Sequence, residues 1–537
     1  MRGAGIFAVL VLAGCLGVLG FFFGLMPVGS LLRSAAVSHA PATRTVIITA
    51  DERGYRPMRD EDVRALPVTV DEKPAVAPAE PKRVTPRVAD RPVDKPPVEK
   101  PAVEKPTTVA ALPSPPAPPP AAAAPPAAPT PAASDDDAPL TTATTETDLE
   151  LAAAKRAPRV AGFSILQIGD SHTAGDFFSG EVRRRLQAIY GDGGPGYIVA
   201  GLPRDVLNES VSITTSKGWS YEAIQRSQEI GAFWLSGFNA VAKKAGETLT
   251  FEAPHPVRYD VIDFEVVRQP GGGTIDIELD GRHEGTYELT ADHTDPVVIR
   301  LLPKKGPTER VRRITITTKN DGEVRISSVG IYNTHAGITY SSVGFPGATV
   351  DLVNKFDKTL FANDLKRINP QIVVLAFGTN EGDKQKLDLA AYARDYEKVI
   401  GKIREALPSA RFVIVGPPDG SELPAHCKEA ERGKATCRVG KDDRPEECAW
   451  RRLPNLDAVR DTQREIAQRH GFAFWSWASI MPKECGPHRW VHATPALMTK
   501  DHVHFTKLGY KKSADAFLRT LVHLIQQQPL TRAASDN

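Results

Sequence analysis

The stretch FSILQIGDSH, from Phe163 to His172, decides the fold of this chain. Its first part, FSILQI, is an apolar run typical of a buried strand, and Gly169 then allows a sharp turn. Beyond the turn, large apolar side chains recur at the spacing of one helix face. They are Phe178, Val182, Leu186 and Ile189. The pattern predicts a strand, a tight turn and a helix that ends near Gly191.

The alternation of strand and helix returns later in the chain. Apolar runs predict strands at 372–377, 412–415 and 472–475, and amphipathic stretches predict helices at 389–407, 456–470 and 508–525. Repeated strand-helix units with short connections place parallel strands in one sheet that helices cover on both faces. We therefore predict a three-layer α/β/α domain with a parallel sheet.

The interval between these two regions has the period of a β-strand. Ile275, Ile277 and Leu279 alternate with acidic residues, and Ile314 and Ile316 alternate with threonines. The dipeptides at 280–281 and 321–322 are both Asp-Gly, a typical hairpin turn. The pattern predicts an all-β, β-sandwich-like insert within the α/β domain.

The N-terminal region has a different character. No charged residue stands between Gly3 and Leu32, and an apolar run of this length can cross a bilayer. We predict a membrane anchor, and lipidation of Cys15 is the alternative because the sequence from Leu12 to Cys15 is similar to a bacterial lipobox. The proline- and alanine-rich sequence that follows cannot bury enough apolar surface to fold, which predicts a disordered tether.

These observations divide the chain into segments. We predict an anchor or signal segment at 1–35, a tether at 36–158, an α/β domain in two segments at 159–203 and 341–528, an all-β insert at 204–340 and a tail at 529–537.

Charge and cysteine content limit the partners. The net charge is only +2 and both signs are interspersed, so we expect no nucleic-acid partner. The cysteines after Cys15 lie in one region, which predicts two disulfides in an exported chain, with a zinc site as the alternative. They are Cys427, Cys437, Cys448 and Cys485. A cluster of His488, His492, His502 and Cys485 fits no known metal-ligand spacing. We expect neither a metal nor a cofactor.

Polar clusters follow two of the predicted strands, and a third cluster stands near the end of the chain. They are Gly169–His172, Gly378–Glu381 and Asp501–His504. The carboxyl ends of parallel strands share one edge of a sheet, so we expect the clusters to meet there. Because Asp501 and His504 are three residues apart, one turn can let the carboxylate orient the imidazole toward Ser171.

With these residues in place, the chain resembles the SGNH (GDSL-like) hydrolase superfamily. That family carries a Ser in Gly-Asp-Ser, a Gly, an Asn in Gly-x-Asn, and Asp-x-x-His. The resemblance implies that Ser171 is the nucleophile, His504 the general base and Asp501 the residue that orients it.

The resemblance also implies an oxyanion hole. Its donors would be the backbone N–H groups of Ser171 and Gly347 and the side-chain amide of Asn380, with Gly344 as the alternative to Gly347. More narrowly, the two motifs together with a β insert resemble the peptidoglycan O-acetylesterase and O-acetyltransferase branch.

This resemblance implies an extracytoplasmic serine esterase that removes O-acetyl groups from a cell-wall or other extracellular polysaccharide through an acyl-serine. One alternative is an O-acetyltransferase that uses the same site and receives its acyl group from a membrane O-acyltransferase. The other is a catalytically inert cell-wall binding module. The expected partner is an acetylated glycan polymer. We expect a single-pass protein of the inner membrane with its catalytic domain in the periplasm, or a lipoprotein attached through Cys15.

Overall fold

The computed structural model describes residues 45–49 and 162–527, apart from 202, 204, 229–232, 307, 428–432 and 439–446. Among these residues, no helix has the length and apolar character needed to cross a membrane. The predicted anchor, nearly all of the predicted tether and the predicted tail lie outside the described residues. The predicted boundaries of those segments stay predictions.

The described residues form nineteen strands, numbered in chain order. They are β1 (Thr45–Thr49), β2 (Phe163–Gly169), β3 (Gly196–Val199), β4 (Ser212–Thr215), β5 (Ser220–Ala223), β6 (Phe238–Ala242), β7 (Thr248–Arg258), β8 (Val261–Arg268), β9 (Thr274–Leu279), β10 (Arg282–Glu288), β11 (Asp295–Leu301), β12 (Arg310–Thr318), β13 (Val324–Tyr332), β14 (Ile338–Gly344), β15 (Ile372–Ala376), β16 (Arg411–Gly416), β17 (Ser421–Glu422), β18 (Arg451–Arg452) and β19 (Ala473–Ser476).

The helices of the described residues are numbered in the same way. They are α1 (Ser171–Ala174), α2 (Phe177–Tyr190), α3 (Leu352–Lys355), α4 (Lys358–Ile368), α5 (Thr379–Asp383), α6 (Leu389–Ala406), α7 (Leu456–His470), α8 (Gly486–Val491) and α9 (Lys507–Gln526). A 3₁₀ turn spans Trp477–Ile480.

The central sheet is fully parallel, with five strands in the order β14-β2-β15-β16-β19. Alternate residues of β2 face opposite sides, so that Leu166 and Ile168 pack in one core and Ile165 packs in the other. Helices α4, α6 and α7 cover the first face, and α2 and α9 cover the second. This architecture confirms the predicted three-layer α/β/α fold.

The strands between α2 and β14, together with β1, form two antiparallel sheets. One sheet has the order β1-β11-β8-β13-β6-β5, with β3 also paired to β13, and the other has the order β10-β9-β12-β7-β4. Side chains such as Phe264, Ile277 and Ile316 fill one core that the two sheets share. The predicted β-sandwich-like insert is therefore present.

The insert begins earlier in the structure than the sequence indicated. Strand β3 starts at Gly196, before the predicted start at 204, and β14 joins the parallel sheet from Ile338, before the predicted return at 341. A short apolar run such as β3 has no periodicity that distinguishes a strand of one sheet from a strand of the other. The sheet to which β3 belongs is decided by the strand with which it pairs in the fold, which is β13.

A second difference lies within the predicted tether. Residues Thr45–Thr49 form β1, which pairs antiparallel with β11 at the edge of the larger insert sheet. The sequence TVIIT is rich in β-branched residues, which favour strands. Its proline-rich surroundings led us to predict that this short segment is unfolded.

Both predicted disulfides are present, and their partners are Cys427–Cys448 and Cys437–Cys485. All four sulfur atoms are therefore bonded in pairs and are unavailable as zinc ligands. The second bridge connects the loop after β17 to the start of α8. It thereby ties that loop to the segment that leads to Asp501 and His504.

An arginine of α4 connects the α/β domain to the insert. The Arg367 side chain is 4% exposed and contacts Asp263 at 3.0 Å, Asp364 at 2.6 Å and Glu265 of β8. Burial raises the pKa of Asp263, but its hydrogen bonds with Arg300 and Arg367 outweigh that effect and hold the pKa below its usual value. The contact thus contains a buried charge pair.

We expect Arg367→Ala to lower the free energy of unfolding by about 3–5 kcal/mol, because the buried carboxyls of Asp364 and Glu265 lose the guanidinium that they contact. Urea denaturation followed by circular dichroism measures the change. The matched control is Lys366→Ala, whose side chain is exposed on the same helix. Equal midpoints for the two variants would contradict the assigned importance of this contact.

Candidate active site

The turn after β2 positions Ser171 at the edge of the parallel sheet. Asp170 caps α1 by accepting a hydrogen bond from the His172 N–H at 3.0 Å, and Ser171 is the first residue of that short helix. A side chain at position 169 would lie 2.5 Å from the Ala376 carbonyl oxygen, which explains the glycine there. The Ser171 hydroxyl is therefore held, half-exposed, at the carboxyl end of a central strand.

His504 lies between Ser171 and Asp501. Its Nδ1 is 2.7 Å from Asp501 Oδ2, and its Nε2 is 2.9 Å from Ser171 Oγ. A carboxylate only accepts hydrogen bonds, so Nδ1 carries the proton and Nε2 can accept the serine proton. The structure thus brings together three of the residues selected from the sequence, in a geometry that allows proton transfer from serine to histidine.

The segment between Met498 and Phe505, two residues that a β-bridge joins, holds Asp501 in place. Asp501 Oδ1 accepts hydrogen bonds from Thr499 Oγ1 at 2.6 Å and from the backbone N–H groups of Val503 at 2.9 Å and His504 at 3.0 Å. Burial alone would raise the pKa of Asp501, but the bonds from His504 and Thr499 and from the backbone outweigh it and hold the pKa below its usual value. Asp501 is therefore ionised at neutral pH.

The ionised Asp501 acts in turn on His504. Its hydrogen bond raises the pKa of His504 above the usual value of a histidine, and partial burial opposes that rise. The imidazole is therefore a stronger base than a free histidine. Both side chains remain open to solvent, with 41% of His504 and 47% of Asp501 exposed.

The expected oxyanion donors come from two other segments. Asn380, in α5, donates a hydrogen bond from Nδ2 to the Ala348 carbonyl at 2.8 Å, which joins it to the turn that contains Gly347. Gly347 has a φ of +73°, a conformation that favours glycine, and open space lies beside its Cα. Among the described residues, no hydrogen bond occupies its N–H.

The alternative donor, Gly344, is in a different environment. It is the last residue of β14, in register with Gly169 of β2. A side chain on Gly344 would lie 2.0 Å from the backbone nitrogen of Ala174. Gly344 therefore allows β14 to approach α1 closely, whereas Gly347 lies in the turn that Asn380 contacts. The Phe345 N–H also donates to Gly169 O at 2.9 Å, which links this turn to the Ser171 segment.

Two residues next to the selected ones were missed in the sequence. His172 Nδ1 is 3.0 Å from the Tyr510 hydroxyl, and the His172 ring centroid lies 5.3 Å from that of His504. Burial lowers the pKa of His172 to about 3, so its ring stays neutral beside the base. Glu381 is a buried carboxyl directly after Asn380. Adjacency to the motifs was the available signal, but burial is not visible in sequence.

The histidine cluster considered as a metal site is only partly assembled. His488 Nδ1 is 3.3 Å from His502 Nε2, and the His488 and His492 rings are 4.5 Å apart. Cys485 is bonded to Cys437 and has no free thiolate. His502 instead stacks on Trp450, with ring centroids 3.5 Å apart, and so packs the disulfide-containing loop against the segment that carries His504.

Residues 328–512 match the family model of GDSL-like lipases and acylhydrolases. A solved structure of a peptidoglycan O-acetylesterase is similar to this chain, with 25% sequence identity, a TM-score of 0.55, and coverage of 71% of this chain and 96% of that one. The chain carries a GDSL-like, SGNH-type hydrolase domain. This domain is an esterase.

Two other solved structures are more distantly similar. A family two carbohydrate esterase from Clostridium thermocellum in complex with cellohexaose has 10% identity, a TM-score of 0.25, and coverage of 59% of this chain and 99% of that one. The carbohydrate acetylesterase Est24 from Sinorhizobium meliloti has 13% identity, a TM-score of 0.24, and coverage of 35% and 79%. No curated protein matches the chain.

The family match begins long after Ser171. The insert separates the first motif of the GDSL-like domain from the others, so a continuous match covers only the C-terminal segment. In the structure the segment that carries Ser171 nevertheless belongs to the same domain, because β2 lies between β14 and β15 in the parallel sheet.

The environment of His504 predicts a pH dependence. His504 must be neutral to accept a proton, so kcat/KM should fall as the pH drops through the raised pKa of His504. Asp501→Asn removes the charge that raises this pKa. We expect the acid limb of the pH profile to move to lower pH and kcat to fall by roughly 10³–10⁴-fold.

Steady-state kinetics with a small acetyl ester between pH 5 and 9 measure both effects. The matched control is Asp461→Asn, because Asp461 is exposed on α7. An Asp501→Asn profile that superimposes on the wild-type profile would show that Asp501 does not control His504.

Proposed function

We propose that this chain is a serine esterase that removes O-acetyl groups from a polysaccharide, with peptidoglycan as the first candidate polymer. The observation that carries the proposal is the contact of His504 with both Ser171 and Asp501, at 2.9 and 2.7 Å. The similarity to a peptidoglycan O-acetylesterase over 96% of that chain supports the choice of substrate. The assembled contacts argue against an inert binding module.

The proposed reaction has two halves. In the first, Ser171 Oγ attacks the carbonyl carbon of the acetyl ester while His504 Nε2 accepts the hydroxyl proton. The tetrahedral intermediate collapses, the sugar oxygen leaves with the proton from His504, and the acetyl group stays on Ser171. In the second half, His504 takes a proton from water as the water oxygen attacks the carbonyl carbon of the acetyl-serine. The second tetrahedral intermediate then breaks its bond to Ser171 Oγ, which receives the proton back from His504, and acetate is released.

The negative charge of each tetrahedral intermediate needs hydrogen-bond donors. We assign this role to the N–H groups of Ser171 and Gly347 and to the Asn380 amide. One hydrogen of that amide is directed to Ala348 O, which fixes the plane of the amide and leaves the second hydrogen to donate. Donors fixed in advance stabilise the transition state because they need no reorganisation during the reaction.

Hydrolysis and acetyl transfer differ only in which acceptor reaches the acetyl-serine. His504 and Asp501 are open to solvent, and we infer that water is the principal acceptor. An O-acetyltransferase that a membrane O-acyltransferase supplies is the second candidate, and the predicted membrane anchor at residues 1–35 favours it.

We also propose an extracytoplasmic location. The two disulfides support it, because such bonds persist mainly in oxidising compartments. The uncharged apolar run between Gly3 and Leu32 supports attachment to the inner membrane, with the catalytic domain in the periplasm. Lipidation at Cys15 is the alternative attachment.

The mechanism predicts the effect of removing each group. We expect Ser171→Ala and His504→Ala to lower the turnover of an acetyl ester by several orders of magnitude, and Asn380→Ala to lower it by about 10²–10³-fold. Initial rates with a chromogenic acetyl ester measure this. The matched controls are Ser409→Ala and His523→Ala, at exposed positions. Turnover of Ser171→Ala near the wild-type rate, with unchanged circular dichroism, would falsify the nucleophile assignment.

The choice of acceptor has its own test. The purified chain, given an acetyl donor together with muramyl or glucan oligosaccharides, should release mainly free acetate, because water reaches the open site. Mass spectrometry of the oligosaccharides and an acetate assay quantify the two products. Spectra dominated by newly acetylated oligosaccharide would instead establish the transferase, and Ser171→Ala should abolish either product.

A further inference from the structure

Glu381 has no role in the reaction described above, yet its carboxyl is buried beneath the site. Its exposed fraction is 1%, and Oε1 accepts a hydrogen bond from the Val350 N–H at 2.8 Å. Oε2 is also buried and has no hydrogen-bond partner among the described residues. A buried carboxyl is costly unless its hydrogen bonds compensate for lost hydration, so this contact requires an explanation.

The partner of Glu381 belongs to the turn that contains Gly347. We name residues Phe345–Val350 the oxyanion turn. Within this turn the Ala348 N–H donates to Phe345 O at 3.1 Å, and its end is held by Glu381 through Val350. Asn380, the residue before Glu381, holds the turn through Ala348 O. Two consecutive residues of α5 therefore contact the turn on the C-terminal side of Gly347.

These two contacts involve different kinds of groups. Asn380 donates to a carbonyl, whereas Glu381 accepts from an N–H, and the two anchor points are only two residues apart. Together they define both the position and the rotation of the peptide planes after Gly347. A donor that must point at a developing charge needs this control, because hydrogen-bond strength falls steeply with misalignment.

The carboxyl of Glu381 does not need its charge for this task. Burial raises its pKa to about 7, and the nearby Asp170 adds to the rise. The neutral acid still presents a carbonyl oxygen to Val350. A glutamine, which has nearly the same shape and a carbonyl oxygen, can make the same contact.

We propose that Glu381 is a positioning residue of the esterase, which holds the oxyanion turn so that the Gly347 N–H faces the tetrahedral intermediate. The inference rests on the proposed function, because it assigns to Glu381 a part in the same acyl transfer. It acts through Val350 and does not touch the substrate. Its effect therefore falls on the transition state rather than on the binding of the ester.

The test compares two substitutions in the full chain with a small acetyl ester. Glu381→Ala removes the acceptor, so kcat should fall by about 10–100-fold, less than the loss expected for deleting an oxyanion donor outright. KM should change by less than about twofold, because only transition-state binding is affected. Glu381→Gln keeps the acceptor and should restore kcat to within about threefold of the wild type.

A matched control separates positioning from lost stability. Ile316→Ala opens a cavity in the core of the insert and lowers the melting temperature without touching the oxyanion turn. It should retain the wild-type kcat at 25 °C. A fall in kcat for Ile316→Ala equal to that for Glu381→Ala would refute the proposal, as would full activity of Glu381→Ala or a failure of Glu381→Gln to rescue.

The outcome is distinguishable from failure of the proposed function. If Ser171→Ala is as active as the wild type, the serine mechanism is wrong whatever Glu381 does. If Ser171→Ala is inactive while Glu381→Ala retains wild-type kcat and KM, the serine mechanism stands and the positioning role is wrong.

Discussion

The approach of Gly347, Ser171 and Asn380 to one another depends on the parallel order of β14, β2 and β15. Parallel strands end at one edge of a sheet, and the segments after these three strands carry the oxyanion turn, the serine and Asn380. Backbone contacts connect neighbouring segments at this edge, as between Phe345 N and Gly169 O. The site is therefore a consequence of sheet topology, which brings together residues that lie far apart in the sequence.

Sheet topology also explains why a large insert can separate β2 from β14 in the sequence. The chain leaves the α/β domain after α2 and returns at β14, and these two points touch. The Gly193 N–H donates to Ile338 O at 3.1 Å, and a side chain on Gly337 would lie 2.4 Å from the Gly191 carbonyl oxygen. Because the ends of the insert are adjacent, it imposes little strain on the parallel sheet. The buried Arg367 contacts then fix its orientation relative to α4.

The residues that take part in chemistry were more predictable than those that support them. Spacing alone suggested that Asp501 could orient His504, because a three-residue separation within one turn leaves few other geometries. The support of the site depends on burial, which a single sequence does not display. His172 and Glu381 look like ordinary polar residues beside a motif until the fold encloses them. The pairing of the cysteines was equally open, since four cysteines allow three connectivities.

The short strand β1 shows a second limit of prediction from the sequence. Strand β1 carries a recognisable β-branched run, but a strand of this length forms only where an edge is available to pair with it. That edge, β11, lies about 250 residues away in the chain. Pairing over such a separation is a tertiary event, and local composition does not report it. The fold class was accessible because it follows from repeated local patterns, and the segment boundaries were not, because they follow from contacts between sheets.

The carboxyl groups on the two sides of Ser171 differ in their exposure to solvent and in their pKa values. On the open side, Asp501 is ionised and His504 is basic, and water can reach both. On the buried side, burial raises the pKa of Asp170 to about 6, although hydrogen bonds from His172 and Thr379 oppose the rise. An acid with a pKa near 6 is mainly ionised at neutral pH, so Asp170 is a second carboxylate, on the buried side of the serine. The charge of Asp170 adds to the hydrogen bond with Asp501 in raising the pKa of His504. Both carboxylates therefore favour the imidazolium that forms when His504 accepts the proton of Ser171.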